Sequence, residues 1–425
     1  MHDLLTELFP YNRSITGDGV RKTLSRIGQE IPILETRVKS GTEVFDWTVP
    51  LEWNVKSAKI YGPDGSTIVD FDHNNLLLMS YSIAVDEFMP LERLKEHIIS
   101  DQTRPDSIPY STSYYKDAWA FCLPFSFVEK LPEGEYRVVI DSTKEQGELI
   151  YGEAYIDNQS NKTVLISSYI CHPSMANDSL SGVVLAVELF KEISRLKNLK
   201  YNYRFLFAPE TIGTICFLHK NRKTIKQSVE YGLVATCVGD AGQFTYKKSR
   251  TPNSDINRII EHIFVQKGLN DRIRNFSPLG SDERQYCSPG FNLDVGVLTK
   301  STYGQFPEYH TNEDNLDFVS EASLRESLNM YTQVLLSYEA NCRYARIQPY
   351  CEPQLGKYHL YRTTGGGGED NLDTILQQRM WVLNYADGET DLIKVATLSG
   401  FDILDLKSVA DELSRKNLIE EIKYD

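Results

Sequence analysis

Apolar positions fall into two rhythms along the chain. Between about Ile31 and Asp141 they come in short β-like runs, EVFDWTVPLEWNV, SAKIYGPDGSTIVDF, WAFCLPFSFV and EYRVVIDS, punctuated by Gly, Pro and Asp as in Gly62-Pro63-Asp64-Gly65. One short helix, PLERLKEHIIS, interrupts them, and residues 1–30 read as a helical lead-in. After Glu145 the rhythm alternates. NKTVLISSYI reads as a buried strand, SLSGVVLAVELFKEISRLKN has apolar residues at helical spacing, and YRFLFAP and GLVATCVGD are further strands. SDINRIIEHIFVQKG is a helix, FNLDVGVLTKS a strand, and SEASLRESLNMYTQVLLSYEANC a long closing helix. Strands alternating with helices predict an α/β sandwich with helices on both sheet faces.

After TTGGGGED, whose Gly365–Gly368 run predicts a flexible joint, the order is helix, short helix, helix, strand: DTILQQRMWVLNYA, DLIKVATLSG, DLKSVADELSRKN, LIEEIKYD. The glycines are no phosphate loop, because Glu369-Asp370 follows where a Lys and a hydroxyl are needed. The order resembles a winged helix. Residues 369–425 carry about twice as many acids as bases, so this segment offers little phosphate neutralisation. Protein contact is expected of it rather than DNA.

Length and composition narrow the class. A chain of 425 residues, 41% hydrophobic and 24% charged, is an ordinary globular one with room for two to four domains. A net charge of -14 argues against general binding to nucleic acid or anionic membrane. No apolar run reaches the roughly 18–20 residues of a membrane helix. The start, MHDLLTELFPYNRS, has acids where a secretory signal has bases. A cytoplasmic location is expected. The seven cysteines, scattered and without a CxxC pair, read as reduced and mostly buried.

In open α/β sheets, ligands bind beyond the carboxyl ends of the strands. After TVLISSYI come Cys171-His172-Pro173 and, six residues past the histidine, Asp178; after YRFLFAP comes Glu210; after GLVATCVG comes Asp240; after FNLDVGVLTKS a loop ends in Glu308-Tyr309-His310-Thr311. Each residue alone has a plain structural reading, such as Asp178 capping the helix that follows. Together, four strand ends deliver His, Asp, Glu, Asp and His to one edge, a donor set that suits Zn²⁺.

These segments resemble the M28-type zinc aminopeptidases. CHPSMANDSLSGVVLAVELF resembles their first metal loop, PETIG their Glu-Glu-x-Gly segment, CVGDAG their strand-end Asp, SDERQY their Ser-Asp-His-x-x-Phe element, and YHTNEDNLDFV their Tyr-His-Thr-x-x-Asp stretch. The whole chain is similar to bacterial proteins with an aminopeptidase-like domain, an inserted β module and a C-terminal winged helix, some associated with polysaccharide biosynthesis. The resemblance implies an α/β, zinc-exopeptidase-like three-layer sandwich with a mostly parallel mixed sheet. Its peptidase domain would comprise residues 1–40 and 145–350, the β-rich insertion 41–144, the linker 351–368 and the winged helix 369–425.

It also implies roles. His172 and Asp240 would bind one zinc, Asp178 would bridge to a second held by His310, and Glu210 would be the general base. The sequence departs in two places. Thr211 replaces the second glutamate, a ligand, and Ser174 stands where an Asp is common. The count is therefore one or two zinc ions, and Glu210 is either base or ligand. Asp282 and Glu283 are reserve bases or substrate contacts, with Tyr309 beside His310. In the insertion, Tyr114, Tyr115 and Lys116 are the candidates for reaching toward substrate. The expected function is a zinc-dependent exopeptidase acting on a peptide or aminoacyl-type substrate. The alternatives are single-zinc amide or acyl transfer, deacylation, or a non-catalytic metal-binding module. A homo-oligomer is left open.

Overall fold

The segment TVLISSY is buried along its whole length, as a strand covered on both faces must be. It lies inside an eight-stranded sheet in a computed structural model that describes residues 1–361 and 374–422. In chain order the strands are β1 (Leu34–Lys39), β2 (Glu148–Ile156), β3 (Thr163–Tyr169), β4 (Asn202–Ala208), β5 (Val229–Ala235), β6 (Thr245–Lys247), β7 (Ile273–Arg274) and β8 (Asp294–Thr299). Across the sheet they run β1-β2-β4-β3-β5-β8-β6-β7. The four in the middle, β4-β3-β5-β8, are parallel, flanked by antiparallel β2 and β6. This is the mostly parallel α/β sheet that the alternation predicted.

Helix α1 (Gly182–Ser194) carries the chain from β3 to β4, and α2 (Ile212–Ser228) carries it back past β3 to β5. Because such crossovers are right-handed, reversing direction puts the two helices on opposite faces. The reversal also opens a crevice at the strand carboxyl ends. Helix α1 enters so close to β5 that a Cβ on Gly182 would sit 2.0 Å from the Ala235 carbonyl oxygen, which reserves that position for glycine.

Between β1 and β2 the chain builds a four-stranded antiparallel sheet from Thr67–Asp70, Glu52–Tyr61, Glu135–Glu145 and Val85–Pro90, in that spatial order. Glu135–Glu145 alternates exposed and buried positions, the period expected of a sheet with one packed face. Tyr136, Val138 and Ile140 are its buried row, with Ala58 and Ile60 opposite. The helix expected in PLERLKEHIIS forms over Leu91–Lys95 only, and Ile98–Ile99 goes on as a short strand.

The described residues group into two compact units, 1–252 with 274–329, and 253–273 with 330–425. The second contains helices Asp255–Gln266, Thr374–Tyr385, Leu392–Ser399 and Ile403–Arg415. Its antiparallel sheet has Arg343–Arg346 in the middle, between Asp387–Asp391 and Ile419–Ile422. That middle strand precedes the glycine run, so the winged-helix sheet draws on chain ahead of residue 369. Gly365–Gly368, Glu369 and Asp370 lie outside the described residues. The helix-turn-helix is built by local chemistry. Asp391 caps Leu392–Ser399 at the Lys394 amide, Gly400 ends that helix at φ 76°, and Asp402 caps the next at the Leu404 amide. Among the described residues, no helix is long and apolar enough to cross a membrane.

Candidate metal centre

The loop after β3 is pinned before it supplies any ligand. Asp314 accepts from the amides of Asn177 and Asp178 at 2.6 and 2.8 Å, and its own carbonyl accepts from the Ala176 amide. Buried Arg13 donates through Nε to the His172 carbonyl oxygen at 2.9 Å. Burial lifts the Asp314 carboxyl to about 7 against the pull of those amides.

Three residues then meet. Asp178 is fully buried; Tyr169 donates to its Oδ1, and its Oδ2 lies 3.0 Å from His310 Nε2. His172 Nδ1 is 3.7 Å from Asp178 Oδ1. His172, Asp178 and His310 offer ligand atoms all within 4.8 Å of one another, and among the described residues no other group of three does so. Three buried polar atoms here lack a well-aligned hydrogen bond, His172 Nδ1, Asp178 Oδ2 and His310 Nε2, the last two meeting only as an ion-pair contact. An unpaired buried polar atom is destabilising, and three converging ones are what a cation would satisfy. Two imidazoles and a carboxylate are a donor set that fits zinc. Burial lowers the His172 pKa to about 4, which leaves its imidazole neutral and free to ligate. Burial works to raise Asp178, but the two histidines and the Tyr169 hydroxyl outweigh it and hold the carboxyl at about 2.

Glu210 stands at the edge of this group, its Oε2 3.7 Å from His172 Nε2, while Ser281 donates to its Oε1 at 2.8 Å. Its side chain as a whole is 24% exposed. Burial of the carboxyl, and then the charges of Asp282 and Asp178, push its pKa up. Thr211 follows at φ 64°, a costly region for a β-branched residue. Asp282 holds it there by accepting from the Thr211 amide at 2.7 Å and the Thr214 hydroxyl at 2.8 Å. Burial raises the Asp282 pKa as well. The Thr211 hydroxyl accepts from Arg284 at 2.9 Å.

The structure does not bring Asp240 into the group. Its carboxylate accepts from Asn177 Nδ2, the Gly242 amide, and the Ser301 amide and hydroxyl at 2.6–3.2 Å. What β5 delivers beside Asp178 is Thr236, the residue next after the strand, at 3.4 Å from Oδ1. Glu283 is buried in an ion pair with Lys247 at 2.7 Å. Tyr309 stacks on His310 with ring centroids 3.9 Å apart. Tyr115 is half exposed beside Trp47 and donates to the Thr48 carbonyl.

The insertion does reach the centre, through a residue the sequence reading passed over. Tyr110 sets its ring edge-on to both His172 and His310, at 5.3 and 5.2 Å. A Pro109–Thr311 bridge and the Tyr110 amide, donating to the His310 carbonyl at 2.8 Å, carry it there. Its hydroxyl meets that of Tyr114 at 3.1 Å.

Residues 2–341 match a family described as a domain of unknown function, DUF4910. The chain belongs to the DUF4910 family. Residues 342–421 match a winged helix-turn-helix family. A Clostridium acetobutylicum relative, provisionally named a polysaccharide biosynthesis protein with an aminopeptidase-like domain, is 46% identical over 99% of this chain and 96% of its own length. A crystal structure from Clostridium acetobutylicum, provisionally termed a peptidase, superposes with a TM-score of 0.92 at 44% identity, covering 99% of this chain and 96% of that one. More distantly, a Bacillus subtilis zinc aminopeptidase reaches a TM-score of 0.58 at 13% identity over 79% of this chain and 93% of its own. That likeness shows that this chain shares the fold of the zinc aminopeptidase.

Proposed function

We propose that this DUF4910 protein is a zinc-dependent hydrolase of the aminopeptidase type, opening a terminal amide bond with Glu210 as its general base. The observation that carries the reading is the convergence of three buried ligand atoms, from His172, Asp178 and His310, beside the carboxylate of Glu210. His172, Asp178 and His310 would hold one ion. Thr211 is engaged by Arg284, and Asp240 by Asn177 and Ser301, which supports one ion over two. The ion, when bound, supplies Lewis acidity to water and to a substrate carbonyl. Glu210 Oε2 takes the proton of the attacking water and passes it to the leaving amine, while Ser281 fixes Oε1. Tyr110 and Tyr309 wall the histidines and limit water.

The Clostridium relative's name sets such chemistry in polysaccharide biosynthesis, and we carry that setting over. The winged helix is proposed as a protein contact, because the exposed side of Ile403–Arg415 pairs its Lys407 with Asp411 and its Glu412 with Arg379. The cysteines, all free and six of them buried, suit a reducing cytoplasm.

The reading is tested by stripping the protein with chelator and assaying aminoacyl arylamides before and after zinc is restored. Turnover that returns with zinc, and that falls by about 10²–10⁴-fold in Glu210→Gln, is expected. No turnover of any aminoacyl or acyl-amine substrate by the zinc-loaded protein, or full activity in Glu210→Gln, would overturn it.

A further inference from the structure

A cavity of about 380 Å³ lies beside β6 and β8 of the same sheet. Its floor is one face of β6 and β8, where Thr245 and Thr299 are cross-strand partners. They are 5% and 3% exposed. Among the described residues, neither hydroxyl has a protein hydrogen-bond partner, and neither is sealed off, so both open into the cavity. At the rim, Asn275, Thr302 and Gln305 also present side chains with no protein partner among the described residues. Tyr303 forms an aromatic wall. The cavity adjoins the metal centre through the chain itself. Gly280 lines it, and the next residue, Ser281, donates to Glu210.

The chemistry of the lining selects its occupant. Two cations line the cavity and neither is free: the Lys247 ammonium is committed to Glu283 at 2.7 Å and to the Leu279 carbonyl, and Arg274 has a partner of its own, so an anion gains little here. An apolar side chain would cover the floor hydroxyls and leave them unpaired, an arrangement that discriminates strongly against such a ligand. A sugar ring has hydroxyls around its edge for Thr245, Thr299, Asn275 and Gln305, and a C–H face for Tyr303.

We infer that this cavity binds a neutral, polyhydroxylated ring, a sugar moiety of the substrate whose amide bond reaches Glu210. That the sugar belongs to a substrate rests on the hydrolase reading above; that it binds does not.

The test is binding to the full chain by saturation-transfer NMR and titration, with N-acetylglucosamine as probe and cyclohexanol as a ring of similar size without the hydroxyl array. N-acetylglucosamine should bind at least about tenfold more tightly than cyclohexanol. The Thr245→Val/Thr299→Val double variant, which keeps side-chain shape, should bind the sugar about tenfold more weakly, with the melting temperature unchanged. Asn275→Ala/Gln305→Ala, at the exposed rim, should weaken it too and decides the matter if the floor variant fails to fold. No sugar binding, equal binding of cyclohexanol, or unchanged affinity in the variants would overturn the inference. Because binding is read without turnover, sugar binding by a protein with no hydrolase activity would sink the hydrolase reading alone.

Discussion

Asp314 governs where Asp178 stands without itself being a candidate ligand. Its two carboxylate oxygens take the amides of Asn177 and Asp178, and an asparagine can accept at only one of those places. Asp314→Asn should therefore loosen the loop and weaken zinc binding by about 10–100-fold, the usual penalty for disturbing a group that orients a ligand; competition against a fluorescent chelator measures it. Asp314 stood in plain view inside YHTNEDNLDFV, but nothing in a sequence says that a side chain serves the backbone of a loop 136 residues away. His172, Asp178, Glu210 and His310 were legible because each follows a strand of the parallel core. Asp240 follows one too. There the signal failed, since the sequence places a residue after a strand without telling how the loop turns. The chain after β5 presents Thr236 to Asp178 at once, and by Asp240 it has turned to Gly242 and Ser301.

At the scale of elements, the insertion was legible as a β module but not as a contributor to the centre. Tyr114 and Tyr115 sit in the conspicuous aromatic run, whereas Tyr110 stands alone behind a proline, and only its pairing with residues 310–311 brings it to the histidines. Tyr110→Phe should retain most activity, losing just the contact with Tyr114. Tyr110→Ala should lower kcat/KM by about 10²-fold with zinc content intact, because it removes a wall that positions the reacting groups; steady-state kinetics with metal analysis separates the two.

In the C-terminal unit, Asp391 joins helix to sheet. It caps Leu392–Ser399 and takes a two-pronged contact from Arg258 at 2.7 Å on each side. Burial works to raise its carboxyl, but Arg258, the Lys394 amide and Asn341 prevail and hold it below the ordinary value. A lowered folded-state pKa gives stability that is present above the unfolded carboxyl pKa, near 4, and is lost as pH falls through the folded value. Asp391→Asn should thus cost about 2 kcal/mol at pH 7. The difference from wild type should shrink below about pH 4, as thermal melts across pH would show.

For the whole molecule, the parallel core was readable because a strand buried on both faces must be continuously apolar and its return helix must follow the 3.6 period. The winged helix was readable through its element order. Its middle strand, Arg343–Arg346, was not, because RYAR has no run of apolar residues and is recruited by pairing with chain about 45 and 75 residues further on. The central claim concerns a single ion held by three side chains from two loops, those that follow β3 and β8. Zinc per chain, measured on purified wild type, His310→Ala and Glu210→Gln, tests it most directly. One equivalent, almost none and one equivalent are predicted. A wild type that holds no zinc, or a Glu210→Gln variant that loses it as His310→Ala does, would contradict the account.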